Sequence, residues 1–251
     1  MKKGYEDTSW LKSIPIAHRG LHSQGMPENS LDAYKMAIKS GYAIELDLRL
    51  TSDEKVVVFH DESTVRMTGA KYIIEKTDYE TLSKLRLNST NSKIPLFSEV
   101  LELVAGKVPL LIEIKNDRSP GVLEKSICDI LKEYDGRFAI QSFNPWTLNY
   151  VKRLEPDYPR GQLSWIYDDN SLVWVFRLIG RSMVANAINK PLFISYRIND
   201  LPSKRIANLR KKGMIILGWT VRSKSDLNHA KKYCDNVIFE NIKVMIPLQD
   251  L

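Results

Sequence analysis

Short apolar, β-branched runs alternate with amphipathic stretches along the whole chain. The runs are IPIA, AIELDL, VVVF, VPLLIEI, RFAIQSF, GQLSWI, PLFISY, MIILGW and NVIF, each of strand length and most separated by segments of helical period. NSLDAYKMAIKSG predicts a helix with Asn29 or Ser30 as N-cap, Leu31, Tyr34, Met36 and Ile38 as apolar contacts and Gly41 at its stop. SPGVLEKSICDILKEYDG predicts another, with Val122, Leu123, Ile127, Ile130 and Leu131 along one side. Strand and helix in alternation imply a parallel sheet.

One pair of strands breaks the rhythm. Only SDEK separates ELDLRLT from VVVFHD, too little for a parallel crossover, so these two are expected to form an antiparallel hairpin. Setting the returning strand aside leaves eight strands joined by crossovers, the number that closes a TIM (β/α)8 barrel, an α/β fold. The chain's 251 residues suit such a barrel as one domain over 1–251. Residues 65–96 fit poorly and read as a small insertion over the barrel rim, with a short helix near DYETLSKL. The most apolar stretch, SLVWVFRLIGRSMVANAI, is interrupted by Arg177, Gly180 and Arg181. Its Leu172, Val175, Phe176 and Ile179 fall at helical spacing, which predicts a core-facing helix and no membrane insertion.

The strand patterns also carry charge where a barrel normally has none. In AIELDLRL, Ile44, Leu46, Leu48 and Leu50 share one side while Glu45, Asp47 and Arg49 share the other. On an edge strand such a face is simply solvated. Inside a closed parallel barrel, acids need a metal, a counter-charge or water. If SDEK closes the hairpin between Thr51 and Val56, Asp47 lies directly across from His60. VPLLIEIKND repeats the anomaly with Glu113 and Lys115. Three carboxylates from two strands suit a hard divalent cation, Mg²⁺ or Ca²⁺, which takes oxygen ligands. Zinc fits less well, since no histidine-rich or cysteine-rich set is present. His18 and Arg19 end the first strand at the mouth where these groups would converge. Two histidines there can transfer protons, Arg19 and Lys115 can hold an anionic oxygen, and Glu28 can orient a histidine or support the metal.

Composition narrows the partners. Hydrophobic residues make up 43% and charged residues 27% of the chain, the usage of an ordinary folded protein. Thirty-seven Lys and Arg against thirty Asp and Glu give a net charge of +7, but no basic block forms a nucleic-acid arm. The excess is either a lysine-rich surface or an attraction for a phosphate-bearing small molecule. Cys128 and Cys234 lack paired spacing, which implies buried thiols in a reducing compartment. MKKGYEDTSWLKS has acids and no apolar core, unlike a secretory signal, so a cytoplasmic protein is expected.

At the chemistry-bearing residues the sequence resembles the glycerophosphodiester phosphodiesterase family. The matches are AHRG, PENS, ELDLRLTSD, VVFHD, RMTG, LIEIK and QSFNP, in that family's order, densely covering residues 16–145. The resemblance implies a TIM barrel that binds Mg²⁺ or Ca²⁺ and hydrolyses glycerophosphodiesters to glycerol 3-phosphate and an alcohol. It implies Glu45, Asp47 and Glu113 as metal ligands, His18 and His60 as general acid and base, and Arg19 and Lys115 on phosphate oxygens, with Glu28 close behind. LGWTVRSKSDL is similar to the family's tryptophan-containing strand, so Trp219 is either a wall for the glycerol moiety or a packing residue. CDNVIFENI departs from it, with Glu240 and Asn241 where relatives usually show a threonine-aspartate pair. Two other readings stand beside this one: the same chemistry on a lysophospholipid or lipid head group, using an apolar groove from residues 165–179, and a catalytically silent barrel that binds a phosphate ester.

Overall fold

The computed structural model describes residues 4–116, 118–164 and 189–245. Eight parallel strands close on themselves: β1 (Ile16–Ala17), β2 (Ala43–Leu50), β4 (Leu110–Ile114), β5 (Phe138–Ser142), β6 (Arg160–Ser164), β7 (Phe193–Arg197), β8 (Ile215–Val221) and β9 (Asn236–Phe239). Closure comes from β1, which pairs with β2 on one side and β9 on the other. The chain thus forms the expected TIM barrel. β3 (Val56–Val58) runs antiparallel to the far end of β2, where β1 has already stopped.

The helices cross between strands as the alternation requires. After α1 (Trp10–Ser13), α2 (Leu31–Lys39) links β1 to β2. The segment after β3 holds α3 (Val65–Thr68), α4 (Tyr79–Ser83) and α5 (Phe97–Val104) before β4. Then α6 (Val122–Lys132), α7 (Pro145–Leu154), α8 (Lys204–Lys211) and α9 (Lys224–Tyr233) lead into β5, β6, β8 and β9 respectively. Ser30 caps α2, its Oγ accepting from Ala33 N–H at 3.2 Å. The buried face of α2 is Ala33, Tyr34 and Ala37; Leu31 and Ile38 pack partly buried against the core, and Met36 sits at the flank. On α6, Val122 is exposed, and Glu124 and Cys128 join the buried side instead. The expected helix with Leu172, Val175, Phe176 and Ile179, and the apolar groove from 165–179, lie outside the described residues. No helix among the described residues is long and apolar enough to cross a membrane.

The hairpin differs from expectation by one residue. Thr51 N–H bonds Lys55 C=O at 3.0 Å, and Glu54 takes a left-handed φ of 60°. A three-residue loop, Ser52 to Glu54, therefore closes it, and Leu48 faces Val58. Asp47 lies opposite Phe59, whose N–H donates to Asp47 C=O at 2.9 Å. His60 falls one step beyond, and Arg49 Nε holds its carbonyl at 2.8 Å.

Residues 65–96 carry a small apolar cluster of their own. Met67, Ile74, Leu82, Leu87 and Ile94 pack with Val57 and Phe59 of β3. Beneath the barrel, Trp10 and Leu11 of α1, both fully buried, pack with Ile16, Ala43, Leu111, Ala139, Phe193, Ile215, Leu217 and Ile238. These are inward positions near the N-terminal ends of the strands, so α1 seals that end with hydrocarbon.

Gly161 backs this seal, because a Cβ there would collide with the Phe193 ring. Gly161→Ala must push that ring out of place. A loss of about 1–3 kcal/mol, typical of an overpacked core, is expected in denaturant unfolding. An unchanged midpoint would mean the barrel floor is looser than this packing requires.

Candidate active site

Above the apolar floor the inward residues turn polar: Glu45 and Asp47 on β2, Glu113 on β4, Gln141 on β5 and Ser195 on β7 are all buried. The register aligns Asp47 with Glu113 and Glu113 with Gln141. Period-two alternation, which sends Ile44, Leu46 and Leu48 to the helix-facing core, sends the acids inward. One oxygen from each of Glu45, Asp47 and Glu113 lies within 4.8 Å of the others.

The turn after β1 is built to reach this cluster. Arg19 has φ 54° and Gly20 φ 82°, a left-handed pair that is costly for arginine. It aims Arg19 N–H at Glu45 Oε2, 2.9 Å away. The Arg19 side chain pairs with Glu28 Oε1 at 2.7 Å through Nη1 and with Asp47 Oδ2 at 3.3 Å through Nε. Asn29, also left-handed at φ 54°, donates to Asp47 Oδ2 at 2.9 Å and accepts from Tyr34 O–H at 2.8 Å. Lys115 Nζ sits 2.6 Å from Glu113 Oε1 and 3.2 Å from Asp47 Oδ1.

Three buried carboxylates thus face two cations, Arg19 and Lys115. Carrying a carboxylate out of water costs several kcal/mol even after relaxation, so the imbalance falls on the least compensated acid. Burial and the Asp47 and Glu113 charges raise Glu45 well above the ordinary carboxylate range. Burial also raises Glu113, against the pull of Lys115. Asp47 goes the other way: Lys115, Arg19 and His60 overcome its burial and hold it far below that range. Neither Asp47 Oδ1 nor Glu113 Oε1 receives a well-directed hydrogen bond. An all-oxygen set with under-used buried lone pairs and excess negative charge fits a hard divalent cation.

His18 and His60 are each held by a carboxylate through Nδ1. His60 Nδ1 lies 2.6 Å from Asp61 Oδ1, and His18 Nδ1 bonds Glu240 Oε2. Burial lowers both imidazoles, opposed by Glu240 for His18 and by Asp47 for His60. Arg66, from the RMTG motif, joins the two sides of the site. Its Nε bonds Asp61 Oδ2 at 2.6 Å, and its Nη2 bonds Glu28 Oε1 at 2.7 Å. Glu28 pairs with Arg19 and Arg66, not with a histidine. Trp219, on β8, is partly buried and meets the Phe143 ring edge-on at 5.7 Å, while Lys115 Nζ lies 5.9 Å from the centre of that ring.

The structure therefore gathers Arg19, Glu28, Glu45, Asp47, Glu113 and Lys115 into one contact network. Sequence reasoning missed Asn29, Asp61 and Arg66 as parts of it. PENS, VVFHD and RMTG contained all three, but nothing in their spacing says that one arginine bonds two acids 33 residues apart. In the sequence Glu240 stands out only as a departure from the family's pattern. Its place at the end of β9, the neighbour of β1, was the available signal.

A sequence profile of the glycerophosphoryl diester phosphodiesterase family matches residues 18–244. The chain is similar to a glycerophosphodiester phosphodiesterase of Caldanaerobacter subterraneus subsp. tengcongensis, 31% identical over 95% of this chain and 98% of that protein. Among solved structures it resembles an Oleispira antarctica phosphodiesterase in complex with the product sn-glycerol-3-phosphate (25% identity, TM-score 0.76, 92% and 94% of the two chains). It also resembles a glycerophosphodiester phosphodiesterase from Thermotoga maritima (26% identity, TM-score 0.71, 90% and 94%). Barrel, acidic cluster and profile agree, and the chain belongs to the glycerophosphoryl diester phosphodiesterase family as an enzyme of that type.

Proposed function

We propose that this enzyme hydrolyses glycerophosphodiesters to glycerol 3-phosphate and an alcohol, with a divalent cation held by Glu45, Asp47 and Glu113 and with His18 and His60 transferring protons. The carrying observation is the triangle of buried carboxylate oxygens, within 4.8 Å of one another and short of positive charge. The relative solved with sn-glycerol-3-phosphate supports a glycerol phosphate product.

When bound, the cation would polarise a non-bridging phosphate oxygen and offset the negative charge that grows in the transition state. Arg19, kept pointing inward by Glu28, and Lys115, kept protonated by Glu113 and Asp47 despite its burial, attract the other phosphate oxygens. With Nδ1 of each histidine occupied by a carboxylate, Nε2 is the nitrogen left to exchange protons. One imidazole accepts the proton of the attacking hydroxyl, from water directly or from the substrate's own glycerol; in the second case a cyclic phosphate forms, and water must then open it to give glycerol 3-phosphate. The other donates a proton to the departing alkoxide, so the alcohol leaves neutral. Trp219 and Phe143 supply an apolar wall against which the glycerol carbons rest.

Glycerol 3-phosphate release from glycerophosphocholine tests this directly. Exhaustive chelation should reduce the rate to background, and Mg²⁺ or Ca²⁺ should restore it. Full activity after chelation would remove the cation from the reaction. Absence of turnover with every glycerophosphodiester tried would remove the substrate.

A further inference from the structure

We infer that Glu240 is a positioning residue for this reaction: its carboxylate holds His18 as the tautomer protonated on Nδ1, leaving the Nε2 electron pair for proton transfer. The inference rests on the reading of His18 as a proton-transfer group and adds a residue to it.

The geometry is specific. β9 ends at Phe239, whose carbonyl accepts from His18 N–H at 2.9 Å. The next residue after β9 therefore stands beside His18, two strands that touch only because the barrel is closed. Glu240 uses both oxygens. Oε2 bonds His18 Nδ1 and has His22 Nε2 at 3.7 Å, while Oε1 accepts from Arg222 Nε. Arg222 is itself tied down, its N–H donating to Asp226 Oδ2 at 3.0 Å.

A plainer account would make Glu240 the surface partner of Arg222. Magnitudes speak against it. The Arg222 side chain is 58% exposed, and an ion pair with so exposed a partner is worth about 0–1 kcal/mol. The Glu240 side chain is only 12% exposed, and burying a carboxylate costs more than such a pair returns. What the burial gains is a fixed acceptor for the His18 ring, which a threonine at 240 could not supply with the same charge.

The test combines Glu240→Thr, Glu240→Gln and Glu240→Asp with His18→Ala, all measured as Mg²⁺-loaded enzyme on glycerophosphocholine. Glu240→Thr should lower kcat by at least about 10–100-fold, the cost of losing a carboxylate behind a metal-bound imidazole, with KM within about twofold. Ring ¹⁵N shifts of ¹⁵N-histidine-labelled protein should show His18 losing its Nδ1–H form, and Glu240→Asp should restore part of both signals. In Glu240→Gln, nearly isosteric, Arg222 Nε should hold the amide oxygen and turn the amide N–H toward His18 Nδ1, which gives the same loss of the Nδ1–H form should the threonine variant fold poorly. In the His18→Ala background, Glu240→Thr should cost nothing further. Unchanged kcat and unchanged ring shifts in Glu240→Thr, with His18→Ala strongly impaired, would overturn the role of Glu240 alone. So would a kcat loss that persists undiminished without His18. An active His18→Ala would overturn the underlying reading and this role with it.

Discussion

Glu45→Gln should reduce kcat by about a thousandfold or more while leaving the cation-free protein as stable as before, or more so. Loss of a carboxylate ligand forfeits several kcal/mol of transition-state charge stabilisation, and each 1.36 kcal/mol is tenfold in rate. The fold should not suffer, because Glu45 is the acid whose ionisation the site opposes most. Burial, Asp47 and Glu113 all raise it, and among the described residues Glu45 accepts from Arg19 N–H, a bond that a glutamine carbonyl can accept equally. Gln reproduces the protonated acid and removes the repulsion. Steady-state kinetics with Mg²⁺ and thermal unfolding with chelator are the two measurements. A rate within tenfold of wild type would take Glu45 out of the cation site. A large drop in melting temperature would mean that its charge, not its shape, holds the barrel mouth together. Stability gained where activity is lost is the trade expected of a site built from like charges.

The second large effect concerns the histidines. His18→Ala and His60→Ala should each cost about 10²–10⁴-fold in kcat, the usual contribution of a positioned acid or base, with modest change in KM. Their roles separate with a second substrate. A glycerophosphodiester whose leaving alcohol is a nitrophenol departs as an anion and needs no proton. The variant lacking the general acid should recover most of its rate on that diester, and the variant lacking the base should not. Equal recovery of both would show that neither acts on the leaving group. Near-wild-type rates for both variants on the natural diester would abolish the proton-transfer assignment.

Much of the architecture was legible because strands announce themselves by burial. All nine apolar runs became strands, and the alternation in AIELDLRL told which side chains of β2 face inward. Glu113 was readable for the same reason. The hairpin register was not. It depends on whether Glu54 adopts a left-handed backbone, an energy difference of about 1–2 kcal/mol that composition does not reveal. The face of α2 was legible only in part: Tyr34 is fully buried and Leu31 and Ile38 pack partly against the core, but the small Ala33 and Ala37 complete the buried face and Met36 stays at its flank. The supporting acids Asp61 and Glu240 escaped because carboxylates are ordinary surface residues in sequence. Only chain closure brings residue 240 beside residue 18, and only the folded 65–96 segment brings Arg66 onto Glu28 and Asp61.

The stopper that Trp10 and its neighbours form fills the barrel interior at the N-terminal ends of the strands with hydrocarbon. The buried acids of β2 and β4 are therefore backed by apolar packing on that side, which leaves the C-terminal ends of the strands, where a (β/α)8 barrel carries its chemistry, as the side from which a ligand meets them. Under the proposed reaction, an ion and a diester would come to the acids from the same direction.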